Sequence, residues 1–167
     1  MFTPELIIEL RLKSSGKSSK ITIETPEDTM DILDGIKDLL DEHLVLVYLD
    51  DNKVVEGIDA FLTNLKSLDK ERPNRTFVRT LVNQTTSKEI SSVIIIQTVP
   101  VVDKPDIKSV DMTNLASLAG KMLVFEIDVF DCILMGSNGY FSFKQNMEAW
   151  VRFEEAINKK REYWDAV

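Results

Sequence analysis

One histidine and one cysteine are all that 167 residues offer to the commonest metal and nucleophile chemistries. A zinc centre of the usual kind or a Ser-His-Asp triad would have to be assembled around His43 and Cys132 alone. A lone cysteine also excludes an internal disulfide, and its apolar neighbours predict a small core residue. Six glycines and five prolines are too few for a fibrous or low-complexity chain. The longest apolar runs, 44–49 and 93–96, fall far short of the roughly 20 residues that cross a bilayer. The opening Met1-Phe2-Thr3-Pro4-Glu5 lacks the basic start and apolar stretch of a secretory signal. A cytoplasmic protein with no membrane association is expected.

What remains is an ordinary globular composition, 44% hydrophobic and 29% charged. A chain of this size buries roughly 70% of its unfolded surface, so one domain over 1–167 is the expectation. Alternation over 6–12 and 20–24, separated by a Ser- and Gly-rich gap, predicts a hairpin. Thr25 followed by Pro26, Glu27 and Asp28 marks a helix start, and the apolar spacing predicts that the helix runs to about His43. The run 44–49 reads as a central strand closed by Asp50-Asp51-Asn52, and 54–68 as a second amphipathic helix.

Beyond Pro73, β-branched residues over 76–82 and 90–99 predict a second hairpin. A helix over 112–119 follows, capped by Asp111 and ended at Gly120. A long strand over 122–135 then turns through Gly136-Ser137-Asn138-Gly139 into 140–143. Ser142 and Gln145 resemble a capping box opening a terminal helix, with Met147, Trp150, Val151, Ile157 and Trp164 on one face. Hairpins interleaved with about four helices predict an α+β fold with a mixed or antiparallel sheet.

Chemistry-bearing patterns are sparse. Gly16-Lys17-Ser18 matches the end of a phosphate-binding loop, but Arg11 stands where the motif needs glycine and a strand is expected where it needs a helix. Glu126 and Asp128, two apart on the expected strand, would share a face and are the candidate pair for a divalent metal in phosphoryl transfer. His43, at the expected end of a helix, fits a structural cation near the negative terminus. No catalytic residue and no cofactor emerge.

Charge is the most pronounced pattern. Residues 24–59 carry twelve carboxylates against Lys37 and Lys53, a net of −10 within a chain whose total is −8. Residues 66–88 carry six basic against two acidic residues, a net of +4. This predicts a non-catalytic binding or regulatory protein whose Asp31, Asp34, Asp38 and Asp41 face a basic protein surface, with Trp164 as an anchor. The alternative partner is nucleic acid, held by Lys17, Arg72, Arg75 and Arg79.

Overall fold

In the computed structural model, which describes residues 21–34, 41–61, 75–87 and 89–165, the run Leu44–Leu49 forms β1 and every residue in it is buried. It is apolar throughout because both of its faces are covered. Leu44, Leu46 and Tyr48 join one core cluster, and Val45, Val47 and Leu49 join another. β2 (Val55–Phe61) and β3 (Ser92–Thr98) flank β1 on either side, both antiparallel to it. β4 (Asp128–Met135) runs parallel to β3, and β5 (Tyr140–Ser142) returns antiparallel to β4. The five strands lie in the order β2-β1-β3-β4-β5.

Helices cover both faces, so the fold is α+β with a mixed sheet, as expected. α1 (Pro26–Leu33) lays Ile32 and Leu33 on the face that holds Ile94, Ile96 and Ile133. On the other face, α3 (Met112–Val124) and α4 (Met147–Asp165) bury Leu115, Leu118, Met122, Ala149 and Phe153. Each large side chain buried this way contributes about 1.5–3 kcal/mol. α2 (Arg75–Ser87) lies between β2 and β3 in the chain, and a short 3-10 turn, Ile107–Ser109, precedes α3.

Several local expectations hold. Asp28 accepts from the backbone N–H groups of Glu24 and Thr25 at 2.9 Å, and Asp111 accepts from Thr113 N–H at 2.8 Å. Cys132 is a buried free thiol in the core.

Others are corrected. Residues 55–61 are a strand and not a helix: Asp50 Oδ1 accepts from the N–H groups of Asn52 and Val54, closing a turn that returns the chain along β1. Residues 75–87 are a helix and not a strand. Its Thr85 and Thr86 hydroxyls donate to the Val82 carbonyl, which accommodates β-branched residues within helical backbone. β3 accordingly pairs with β1 and β4. α3 runs through Gly120 to Val124 and leaves the helix at Glu126, whose φ of 58° lies in the left-handed region. Residues 122–124 are therefore helical and the strand begins at Asp128. Asn146, rather than Ser142, caps α4, accepting from Ala149 N–H at 3.3 Å; Met147 and Val151 on that helix are exposed. The expected first hairpin strand over 6–12 and its loop lie outside the described residues; of the expected second strand, the described Thr22 forms one bridge, to Val54.

The β4–β5 turn depends on glycine for a reason other than left-handed backbone, which neither Asn138 nor Gly139 adopts. At Gly136 an added Cβ would fall 2.5 Å from the Val102 carbonyl oxygen and 2.6 Å from that of Asp103. Those two carbonyls accept from the backbone N–H groups of Ser137 and Asn138, so the neighbouring loop cannot yield freely. Gly136→Ala is expected to destabilise the fold by about 1–3 kcal/mol, read as a lower urea midpoint at unchanged slope. Gly139→Ala, whose Cβ would approach Lys104 Cγ at 3.4 Å, should shift it little.

Candidate functional site

A carboxylate in the middle of an apolar strand needs compensation, and Asp131 on β4 is 3% exposed. Its Oδ2 accepts the Ser142 hydroxyl at 2.7 Å, and its Oδ1 accepts the backbone N–H groups of Cys132 at 2.7 Å and Lys144 at 3.0 Å. Burial pushes the Asp131 carboxyl above the usual range, against the pull of these hydrogen bonds and of the Lys144 charge. Lys144 shifts the opposite way. Burial lowers its ammonium most, Asp131 opposes this, and Lys53 lowers it further.

Both residues line a cavity of about 240 Å³ between α1 and the β4–β5 end of the sheet, with Ile23, Ile94 and Phe130 as apolar wall. Glu24, Thr25, Glu27, Thr29 and Gln145 complete its polar lining. Glu27 Oε1 accepts from the Tyr140 phenol at 2.5 Å and from Gln145 Nε2 at 3.2 Å. Led by the Tyr140 hydrogen bond, these contacts hold the Glu27 carboxyl down at about 2. Lys144 Nζ sits 3.6 Å from the centroid of the Phe130 ring, and Lys53 Nζ lies 5.0 Å from the same ring.

The residues singled out from sequence are not gathered here. Asp31 and Asp41 are exposed, Asp34 is half-buried at the end of α1, and Asp38 lies outside the described residues. Trp164 falls in the last turns of α4. Lys17 and Arg72 also lie outside the description; Arg75 opens α2, and Arg79 is exposed on it. Glu126 and Asp128 do not form the expected pair, because Glu126 occupies the left-handed turn before β4 and Asp128 is the first strand residue. Asp128 instead lines a wider cleft of about 430 Å³ with Trp150, Glu154 and Asn158. His43 is buried just before β1 and not at a helix end: its Nδ1 lies 2.9 Å from the Asp41 carbonyl, and its backbone N–H donates to Thr98 Oγ1 at 2.7 Å.

The sequence did carry one signal for Asp131, a charged residue flanked by Phe130, Cys132 and Ile133, where an unpaired charge would not persist. Thr29 and Lys144 carried none, since only the fold brings them together.

A family model described as a RadC-like JAB domain matches residues 23–148. No curated protein matches the chain. RadC- and JAB-type proteins are hydrolase-like and metal-dependent, so the match overturns the expectation of a non-catalytic, regulatory protein acting through its acidic face. It also separates the two cavities. Every residue lining the 240 Å³ cavity lies within the matched stretch, whereas Trp150, Phe153, Glu154, Ile157 and Asn158 of the wider cleft lie beyond it.

The Glu27–Tyr140 contact has a pH signature. A carboxyl lowered from 4.5 to about 2 contributes stability that is complete above its unfolded value and disappears as pH falls through the folded one. The melting temperature of the wild type relative to Glu27→Gln should therefore hold steady from neutral pH down to about 4.5 and converge near pH 2.

Proposed function

Because the chain belongs to the RadC-like JAB domain family, we propose that it is a hydrolase whose reaction takes place in the cavity between α1 and the β4–β5 turn. The observation that carries this reading is the Lys144 ammonium, which is exposed at its residue but lines the family-matched cavity beside the buried Asp131 carboxyl, where desolvation lowers its proton affinity. Lowered proton affinity is the direction that general-base work by a lysine requires.

The metal associated with such proteins finds no ready ligand set here. Among the described residues no group of three His, Cys, Asp or Glu side chains converges. Within the cavity, the Asp131 oxygens already accept three hydrogen bonds, Glu27 Oε1 accepts two, and an ammonium occupies the space beside them. Thiolate ligation by Cys132 is opposed by burial, which pushes its thiol well up. No step is therefore routed through a metal.

In the proposed reaction the neutral Lys144 amine takes a proton from the attacking water and returns it to the leaving group. The hydroxide adds to the electrophilic centre and the scissile bond breaks, so the lysine ends as it began. Asp131 is a positioning residue: it holds the Lys144 backbone N–H and supplies the negative charge that accommodates the transient ammonium.

Lys144→Met should lower turnover about 10²- to 10⁴-fold, measured on chelator-treated protein against peptide-bond and phosphoester substrates. Wild-type rate should rise with pH along a limb set below the ordinary lysine value of 10.5, and that limb should vanish in the variant. Turnover that disappears with chelator and returns with a divalent metal would place the chemistry elsewhere.

A further inference from the structure

The second cleft, about 430 Å³ between α3, α4 and the start of β4, takes no part in the reaction proposed above. Leu123, Val129, Trp150 and Ile157 give it apolar walls, and Asp128 and Glu154 bring two carboxylates to it. Neither carboxylate makes a hydrogen bond or an ion pair among the described residues. The local sequence explains why. Glu148 reaches Arg152 one turn on, at 2.6 Å, whereas the positions three and four away from Glu154 are Trp150, Val151, Ile157 and Asn158. Asp128 stands opposite Ser92 on β3. Lys121 and Lys159 belong to the same two helices but do not line the cleft. Lys144, 5.9 Å from the centroid of the Trp150 ring, lines the other cavity and has Asp131 as its counter-charge.

The surface beside the cleft points the same way on separate grounds. Among the described residues the exposed large apolar side chains are Val82, Val101, Val124, Met147 and Val151, and three of these five lie on the helices that frame the cleft. Met147, Val151 and Glu154, spaced by four and then three, fall on one stripe of α4. Exposed apolar side chains gathered beside a cleft mark a face that another molecule covers. We propose that this cleft docks a basic segment of a partner protein, a lysine or arginine stem lying along Trp150 and Leu123 with its cationic head against Asp128 and Glu154. A long basic side chain buries its methylenes on apolar surface while its charge stays at the rim. An indole ring attracts a cation, and two unpaired carboxylates select for one. The same carboxylates repel a phosphate backbone, which favours a protein over a nucleic acid. Because the α4 wall lies beyond the family-matched stretch, this surface does not depend on the hydrolase reading.

Trp150 reports the contact directly. Trp164→Phe leaves it as the sole tryptophan of the chain. Titrating that full-length variant with a short capped peptide of alternating lysine and leucine should change its emission saturably, and a peptide with glutamate in place of lysine should not. In the same background Asp128→Asn and Glu154→Gln should each weaken binding about threefold, and together about tenfold. Charge reversal, Glu154→Lys, should weaken it further. Position 154 is exposed, so the melting temperature of that variant should match the parent's. Asp31→Asn combined with Asp51→Asn removes the same charge from exposed positions of the acidic block and should leave the affinity unchanged.

Equal loss in the Asp31 and Asp51 control would reduce the binding to general attraction by an acidic protein and overturn the docking site. Undiminished binding by Glu154→Lys would overturn it too, as would the same emission change with the glutamate peptide or with a single-stranded oligonucleotide. Self-association in the ultracentrifuge that shifts Trp150 emission without peptide would assign the face to a second copy of the chain instead.

Discussion

The arrangement of this domain depends on how β4 tolerates Asp131. A carboxyl held inside a strand loses its hydration, and it can stay there only if the surrounding backbone turns toward it. Here the strand's own next amide, the Ser142 hydroxyl of β5 and the Lys144 amide all do so. Those bonds fix the chain direction where the sheet ends and the last helix begins. From that fixed point α4 can bury Ala149 and Phe153 against α3, and the exposed Lys144 is placed along the cavity. The carboxyl thus has a structural role that is inseparable from the electrostatics it imposes on its neighbour.

The chemistry of the cavity reverses the picture drawn from net charge. The acidic block suggested a surface that attracts basic partners, yet its Lys53 is one of the two ammonium groups at Phe130. Its Glu24, Glu27 and Thr29 line the cavity that this ring helps to wall. Average charge along a segment describes what the segment repels in bulk solution. The local field is set by a few groups whose solvation has been removed. The same distinction explains why abundant carboxylates do not imply metal binding: Asp131 and Glu27 in the cavity already accept hydrogen bonds from hydroxyl, amide and phenol donors.

Much of the framework was legible in the sequence. Continuous apolar runs gave β1 and β3, and side-chain caps gave the starts of α1 and α3, because these signals are local and both faces of the sheet are covered. The errors share a physical cause. The stretch 55–61 is amphipathic at either period, and only its pairing with β1 decides for a strand. Residues 75–87 are β-branched but helical, with threonine hydroxyls folded back onto the Val82 carbonyl. α3 runs past Gly120 because that glycine does not take the left-handed conformation that would end the helix there. That extension displaced Glu126 from the strand and dissolved the expected Glu126–Asp128 pair. The actual cavity draws on residues from both ends of the matched stretch, and no spacing rule connects Thr29 to Lys144.

That separation has a consequence for how the protein comes into being. The bonds from Tyr140 and Gln145 to Glu27 span 113 and 118 positions. One wall of the cavity is therefore synthesised well before the other. A nascent chain that has already laid down α1 and β1 holds Glu27 and Thr29 without the lysine, the phenol or the buried carboxyl that give them a purpose. The cavity exists only once the β4–β5 hairpin has joined α1, and a fragment that lacks either segment has no working copy of it.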